Sequence, residues 1–88
     1  KVRPGCLMLN TDGCSKGNPG WSRGGGILWD SSGGPILSFS TFFGIRSSLQ
    51  AEDLAMLTGL RMCVEQGFVN VDLQSDSQVF SVPVADPE

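Results

Sequence analysis

One stretch of helical periodicity, with strand-like segments on both sides, limits the folds open to this chain of 88 residues. The helix is predicted to begin at Ser48, a plausible N-cap, and to end at Gly67. With Ser48 as the cap, Ala51 occupies the third helical position, so no capping box is predicted. The apolar face of this helix is predicted to contain Leu49, Met56, Leu57, Leu60, Cys63 and Val64.

The remaining segments indicate an α/β fold. Residues 6–11, 24–30, 35–43 and 68–73 have the composition of strands, whereas residues 12–20 and 31–34 are rich in turn formers. Short connections between the first three strands predict an antiparallel meander, and the helix predicts a fourth strand parallel to the first. We expect a domain over residues 5–80 and an irregular tail over residues 81–88, which contain two prolines.

Composition restricts the functional classes. The net charge of −3 counts against a strongly basic nucleic-acid-binding surface, but less against phosphodiester chemistry at a bound metal. The absence of histidine excludes histidine bases and imidazole ligands. Three cysteines without metal-site spacing indicate reduced thiols of an intracellular protein. No apolar run approaches the ~20 residues of a membrane helix and no signal peptide is visible. Because the first residue is Lys1, we expect a fragment.

Three acidic residues lie where a carboxylate is awkward unless it holds a cation. Asp12 ends the first strand-like run, Glu52 lies at the edge of the apolar helix face, and Asp76 follows the last strand-like run. Two strand ends and a core-facing helix edge would converge on one point, and a divalent cation would relieve the repulsion there. Oxygen ligands favour magnesium or manganese.

Each acid also has an ordinary explanation. Asp12 precedes a glycine and would start a turn, Glu52 would reach water from the margin of the helix, and Asp76 would cap a following helix. Asp53 projects still closer to the middle of the apolar stripe. Only the joint order of strand acid, helix acid and strand acid favours a metal site.

Two other features allow a functional and a structural interpretation. The segment Gly17-Asn18-Pro19-Gly20 lacks the ending of a phosphate-binding loop, so a turn is favoured, although its backbone N–H groups could contact a nucleic-acid phosphate. Trp21 and Trp29 could stack on bases, but packing in the core or at its rim is the favoured interpretation.

Five ordered motifs resemble a known family. They are Leu9-Asn10-Thr11-Asp12-Gly13, Lys16-Gly17-Asn18-Pro19-Gly20, Gly25-Gly26-Ile27-Leu28-Trp29-Asp30, Ser48-Leu49-Gln50-Ala51-Glu52 and Gln74-Ser75-Asp76-Ser77. Together they look like the ribonuclease H type 1 domain, in particular the plant versions associated with retrotransposon-type reverse transcriptases. The resemblance covers residues 6–78.

The resemblance implies a mixed five-stranded sheet flanked by helices and a nuclease that cuts the RNA strand of an RNA–DNA hybrid. Asp12, Glu52 and Asp76 would then be both catalytic and metal-binding, and would hold two Mg²⁺ or Mn²⁺ ions. It also implies that nucleic acid is contacted by Gly13, Cys14, Ser15, Gln50 and, more weakly, Asn18.

The sequence departs from the family pattern after Asp76. The family continues through a helix and a fifth strand to a fourth metal-site carboxylate, whereas Asp86 comes too early to supply it and the chain ends at Glu88. Asp53 also replaces a usually apolar residue, at a cost of several kcal/mol if it were buried unpaired. We therefore predict an incomplete ribonuclease H-like domain with unpaired sheet edges open to self-association. The alternative is a non-catalytic remnant that binds nucleic acid or protein, or has no function.

Overall fold

The structure is a computed structural model that describes residues 6–68, 70–75 and 78–83. Within these ranges no helix combines the length and the apolar character that crossing a membrane requires. The elements in chain order are β1 (Met8–Gly17), β2 (Gly20–Trp29), β3 (Pro35–Arg46), α1 (Ser48–Glu65), β4 (Asn70–Ser75) and β5 (Gln78–Pro83).

The strands form one mixed sheet in the order β3-β2-β1-β4-β5. The first three strands pair antiparallel, β4 pairs parallel with β1, and β5 pairs antiparallel with β4. The helix connects β3 to β4 and packs mainly on β1 and β2. The predicted α/β fold, with its meander and parallel fourth strand, is confirmed.

The first hairpin is longer than the sequence predicted. Residues 12–17 were expected to form a loop, but they continue β1, and Asp12 lies opposite Gly25 of β2. Only Asn18 and Pro19 remain in the turn between Gly17 and Gly20. The loop was predicted from the polar composition of these residues. A strand with one face toward solvent nevertheless tolerates polar side chains when the neighbouring strand supplies the backbone hydrogen bonds.

The helix begins one residue earlier than predicted and does have a capping box. Ser47 is the N-cap: its hydroxyl accepts a hydrogen bond from the backbone N–H of Gln50 at 3.0 Å. In return, the Gln50 side-chain oxygen accepts one from the Ser47 N–H at 2.9 Å. Serine is an equally good N-cap at positions 47 and 48, so residue type alone does not distinguish them. The capping box does distinguish them, because only Ser47 has Gln50 three residues later.

The buried face of α1 consists of small residues rather than of the predicted large ones. Leu49, Leu57 and Val64 are exposed, whereas Met56 and Leu60 pack partly against the core. A Cβ added to Gly59 would lie 2.9 Å from a methyl carbon of Leu9, so a larger side chain would push the helix off the sheet. The residues that are buried lie at four-residue spacing and are Ala51, Ala55, Gly59 and Cys63.

Asp53 is exposed, contrary to the expectation that it projects into the apolar stripe. The buried face is centred on Ala51 and Ala55, and Asp53 lies beside it, where it lines a pocket with Ser75 of β4 and Phe80 of β5. The energetic cost expected from burying its carboxylate therefore does not arise.

The last strand covers an edge that the sequence left open. Residues 81–83, expected to be irregular, belong to β5, and Pro83 pairs with Asn70 at the end of the ladder. A proline is tolerated there because an edge strand does not need every N–H for pairing. The edge of β4 is thus paired, and β3 and β5 form the outer edges of the sheet. Residues 84–88 of the predicted tail lie outside the described residues.

Candidate active site

Asp12 lies in the middle of β1, on the face of the sheet that points away from α1. Leu9 and Thr11 face the helix, since both contact the position of a Cβ on Gly59. Side chains alternate along a strand, so Asn10, Asp12 and Cys14 lie on the opposite face. The carboxylate of Asp12 is exposed and lines a shallow pocket of about 400 Å³ with residues of β2. The structure therefore presents this acid to solvent within a rigid strand.

Gly13 brings the backbone of β1 against the backbone of the helix next to Glu52. A Cβ on Gly13 would lie 2.2 Å from the carbonyl oxygen of Ala51 and 2.8 Å from the backbone nitrogen of Glu52. Only glycine permits this approach, because any side chain would overlap the helix backbone. The residue that follows the first acid thus contacts the peptide that carries the second.

Glu52 lies near the start of α1 and is half-buried. Its side chain lines a second pocket of about 400 Å³, which it shares with Ser75 at the end of β4 and with Gln78 at the start of β5. Glu52 therefore faces the end of β4, and Ser75 immediately precedes the third candidate acid, Asp76, in sequence. Asp76 itself lies outside the described residues.

Among the described residues, the parallel pairing of β1 with β4 extends as far as Asn10. The last parallel pair is Asn10 with Gln74, and the Asn10 side-chain amide donates a 2.8 Å hydrogen bond to the Gln74 side-chain oxygen. Asp12 follows Asn10 by two residues, on the stretch of β1 beyond that last pair. The described part of β4 therefore reaches the level of Asn10 on β1, two residues before Asp12.

The donor chemistry of these acids fits a hard divalent cation. Among the described residues, neither the Asp12 nor the Glu52 carboxylate has a hydrogen-bond or ion-pair partner. Carboxylate oxygens are the ligands that Mg²⁺ and Mn²⁺ prefer. The described part of the chain holds no group of three or more acidic or cysteine side chains placed to bind a metal ion. It contains two of the three predicted ligands.

The polar residues expected to contact nucleic acid also hold the site together. The single O–H of Ser15 has two acceptors within hydrogen-bond distance, the Gly17 carbonyl and, at 2.9 Å, the Arg46 carbonyl at the end of β3. The Asn18 side-chain oxygen accepts from the Ser48 N–H at 2.9 Å. The side-chain oxygens of Asn18 and Gln50 each already accept one hydrogen bond, whereas their amide N–H groups can donate to a ligand. Cys14 is exposed, and Gly13 is packed on the helix.

Two groups with displaced pKa values lie outside this site. Hydrogen bonds from the Ser32 hydroxyl and the Gly34 N–H lower the pKa of Asp30 in the β2–β3 turn. Burial raises the pKa of the Cys63 thiol beneath the sheet. Neither group faces Asp12 or Glu52, so their displaced pKa values reflect local structure.

A family model described as reverse transcriptase-like matches residues 10–82, which is most of the chain. The chain belongs to the reverse transcriptase-like family. It is a ribonuclease H-like domain, and its relatives carry that name. A "Putative ribonuclease H protein" of Arabidopsis thaliana is 40% identical over 75 residues, which are 85% of this chain and 12% of that protein. Ribonuclease HI of Halobacterium salinarum is 34% identical over 77 residues, which are 88% of this chain and 39% of that protein.

Solved structures of this family share the fold. The crystal structure of RNase H1 from Halobacterium salinarum matches with a TM-score of 0.79 and 32% identity, over 84% of this chain and 56% of that one. A compost-derived RNase H1 in complex with an RNA/DNA hybrid matches with a TM-score of 0.70 and 25% identity, over 78% of this chain and 51% of that one. The chain thus spans well under half of its curated relatives and about half of the solved chains.

Proposed function

We propose that this reverse transcriptase-like domain hydrolyses the RNA strand of RNA–DNA hybrids with the help of divalent metal ions. The contact of Gly13 with the Ala51–Glu52 peptide carries the proposal, since it places two oxygen-donor side chains on adjoining backbone. A relative of the same fold was crystallised with an RNA/DNA hybrid, which supports that class of substrate.

Asp12, Glu52 and Asp76 are the residues that would hold Mg²⁺ or Mn²⁺. Two such ions, when bound, would lower the pKa of an attacking water and neutralise the leaving 3′ oxygen of the scissile phosphate. The task of the protein is to hold the carboxylates in place, and β1 and α1 are suited to this because their backbones are in direct contact. Histidine and serine nucleophiles are not needed for this chemistry.

The substrate-binding part of the proposal concerns the turn and helix start next to Asp12. Gly13, Cys14, Ser15, Asn18 and Gln50 would contact the hybrid, through backbone N–H groups or the free amide hydrogens of the two carboxamides. Contacts to RNA 2′-hydroxyl groups across the minor groove distinguish a hybrid from double-stranded DNA. The hydrogen bonds of Ser15 and Asn18 keep this surface fixed relative to the helix start.

A labelled RNA–DNA hybrid incubated with the chain and Mg²⁺ or Mn²⁺ tests the proposal. Glu52→Gln should reduce cleavage more than about 100-fold, because loss of even an indirect partner of a metal ligand costs about 10–100-fold. Glu65→Gln is the matched control: this carboxylate is exposed at the opposite end of α1, so cleavage should be retained. Equal losses in both variants, or cleavage that survives Asp12→Asn, would contradict the assignment.

A non-catalytic binding module is the second candidate. It is favoured by the separation of Asp12 and Glu52 into two different pockets, which share no described lining residue. A folded chain that binds the hybrid but does not cleave it at any metal concentration would support this second function. The same result would overturn the nuclease proposal for the 88-residue chain.

A further inference from the structure

Two large aromatic side chains stack on each other at the solvent-exposed surface. The rings of Trp21 on β2 and Phe42 on β3 lie 5.6 Å apart between centroids, with 28° between their planes. Trp21 is 61% exposed and Phe42 is 58% exposed. The sequence favoured packing in the core or at its rim for Trp21, but most of its surface faces water. Such a pair forms a flat apolar platform of the kind that binding sites use.

Two cations flank this platform. The strand register places Lys16 directly opposite Trp21, and places Arg23 between Cys14 and Phe42. All five side chains line one pocket of about 510 Å³, and no carboxylate is among the described residues that line it. Half of the cationic side chains in the described part of the chain thus lie beside one aromatic pair, in a protein whose net charge is −3.

The platform lies on the same face of the sheet as Asp12. Asp12, Cys14 and Lys16 alternate along β1, so all three point away from the helix. The four residue-to-residue steps from Asp12 to Lys16 span about 13 Å at the rise of a β-strand. A strand of nucleic acid held at Asp12 would therefore reach the platform within a few nucleotides.

We propose that Lys16, Trp21, Arg23 and Phe42 form a subsite for unpaired nucleotides. One base stacks on the exposed face of Trp21, and the flanking phosphates contact Lys16 and Arg23. A platform beside cations is the arrangement that binds single strands without sequence preference, because every base has a π-face and every phosphate a charge. Bases in a duplex are already stacked on each other, so the platform is specific for an unpaired stretch. This proposal depends on the proposed function in one respect only, namely that the protein binds nucleic acid.

The fluorescence of Trp21 reports the binding directly. In a Trp29→Phe variant, Trp21 is the only tryptophan, and titration with oligothymidylate should quench its emission. An oligomer of the same length that carries abasic phosphodiester units is the matched ligand control, and it should quench much less. Quenching by thymidylate alone supports stacking, whereas equal quenching by both polymers, or by neither, overturns the subsite.

Variants and salt separate the two parts of the subsite. Phe42→Ala should weaken binding about tenfold, since it removes the support of the stacked ring. Two phosphate contacts predict that log K falls with log salt with a slope of about −1.4, and the double variant Lys16→Gln/Arg23→Gln should flatten this slope. A slope that the double variant leaves unchanged would overturn the role of the cations.

The unmodified chain supplies a second readout if Trp29→Phe does not fold. Oligothymidylate should shift the indole N–H signal of Trp21 in an NMR spectrum and leave that of Trp29 in place; the reverse pattern would overturn the subsite. Asp12→Asn should keep the Trp21 response, because Asp12 lies outside the platform. Cleavage of hybrids without any Trp21 response would refute the subsite and leave the nuclease proposal standing. A Trp21 response without cleavage would do the opposite.

Discussion

Gly13 of β1 lies so close to Ala51 of α1 that a Cβ on the glycine would be 2.2 Å from the carbonyl oxygen of the alanine. This approach of two backbones fixes the position of the helix on the sheet at the level of the candidate active site. Asp12 and Glu52 are the residues next to this contact, one on each chain segment. The site therefore depends on a glycine that carries no functional group.

Gly13→Ala should destabilise the domain. The added methyl group overlaps the Ala51 carbonyl oxygen, and overpacking of this kind costs about 1–3 kcal/mol or more in the free energy of unfolding. Urea denaturation measures the change. Gly33→Ala is the control, because nothing lies within 4 Å of a Cβ there and only its φ of +90° is unfavourable, at about 1–2 kcal/mol. If Gly13→Ala costs no more than the control, the close approach is absent in solution.

Ser47→Ala should cost about 1 kcal/mol of stability, because Ser47 and Gln50 form a capping box at the start of α1. Ser48→Ala is the matched control. The Ser48 backbone N–H, rather than its side chain, bonds to Asn18, so this variant should lie within about 0.5 kcal/mol of the parent. Thermal denaturation of the two variants compares the caps, and a larger loss for Ser48→Ala would contradict the observed cap.

The turn between β2 and β3 should lose stability in acid. Hydrogen bonds from the Ser32 hydroxyl and then the Gly34 N–H lower the folded-state pKa of Asp30 below its ordinary 3.8. A lowered folded pKa stabilises the fold above pH 3.8, and that contribution disappears as the pH falls through the folded pKa. Titration of the Asp30 carboxyl followed by its NMR chemical shift measures the folded-state pKa. Ser32→Ala removes the largest cause, so it should move this pKa back toward 3.8, and an unchanged pKa would contradict the role of the hydroxyl.

The cysteines should differ in reactivity toward thiol reagents at pH 8. Cys14 is exposed, whereas Cys63 is fully buried and burial raises the pKa of its thiol. If only the unfolded chain exposes Cys63, its alkylation should be more than about 1,000-fold slower than that of Cys14. Mass spectrometry of the labelled peptides gives both rates. Cys14→Ser should remove the fast reaction, and fast labelling of Cys63 in that variant would show that α1 opens locally.

Self-association through the sheet edges stays a prediction, although its original reason was wrong. The edge of β4 is paired by β5, so the outer strands are β3 and β5. β5 carries the exposed apolar side chains Val79 and Phe80. Edges with exposed apolar residues favour pairing between chains.

The sequence by itself determined the order of the elements and the candidate ligands. Alternating segments around one helical period predicted the meander, the helix and the parallel strand, because side-chain periodicity is a local property. The motifs around Asp12, Glu52 and Asp76 indicated the family, because short motifs are also a local property of the sequence. The N-cap at Ser47 could also have been predicted from the sequence, since its capping-box partner Gln50 lies three residues later.

Only the tertiary structure decided how the elements meet. Leu49, Leu57 and Val64 fit a helical stripe, yet the sheet accepts the smaller face of Ala51, Ala55 and Gly59, because β1 and α1 approach too closely for large side chains. Residues 12–17 form a strand because they pair with β2. Their own composition, which is typical of turns, does not indicate this pairing. The platform of Trp21 and Phe42 arises from the pairing of two strands, and no local pattern brings those rings together.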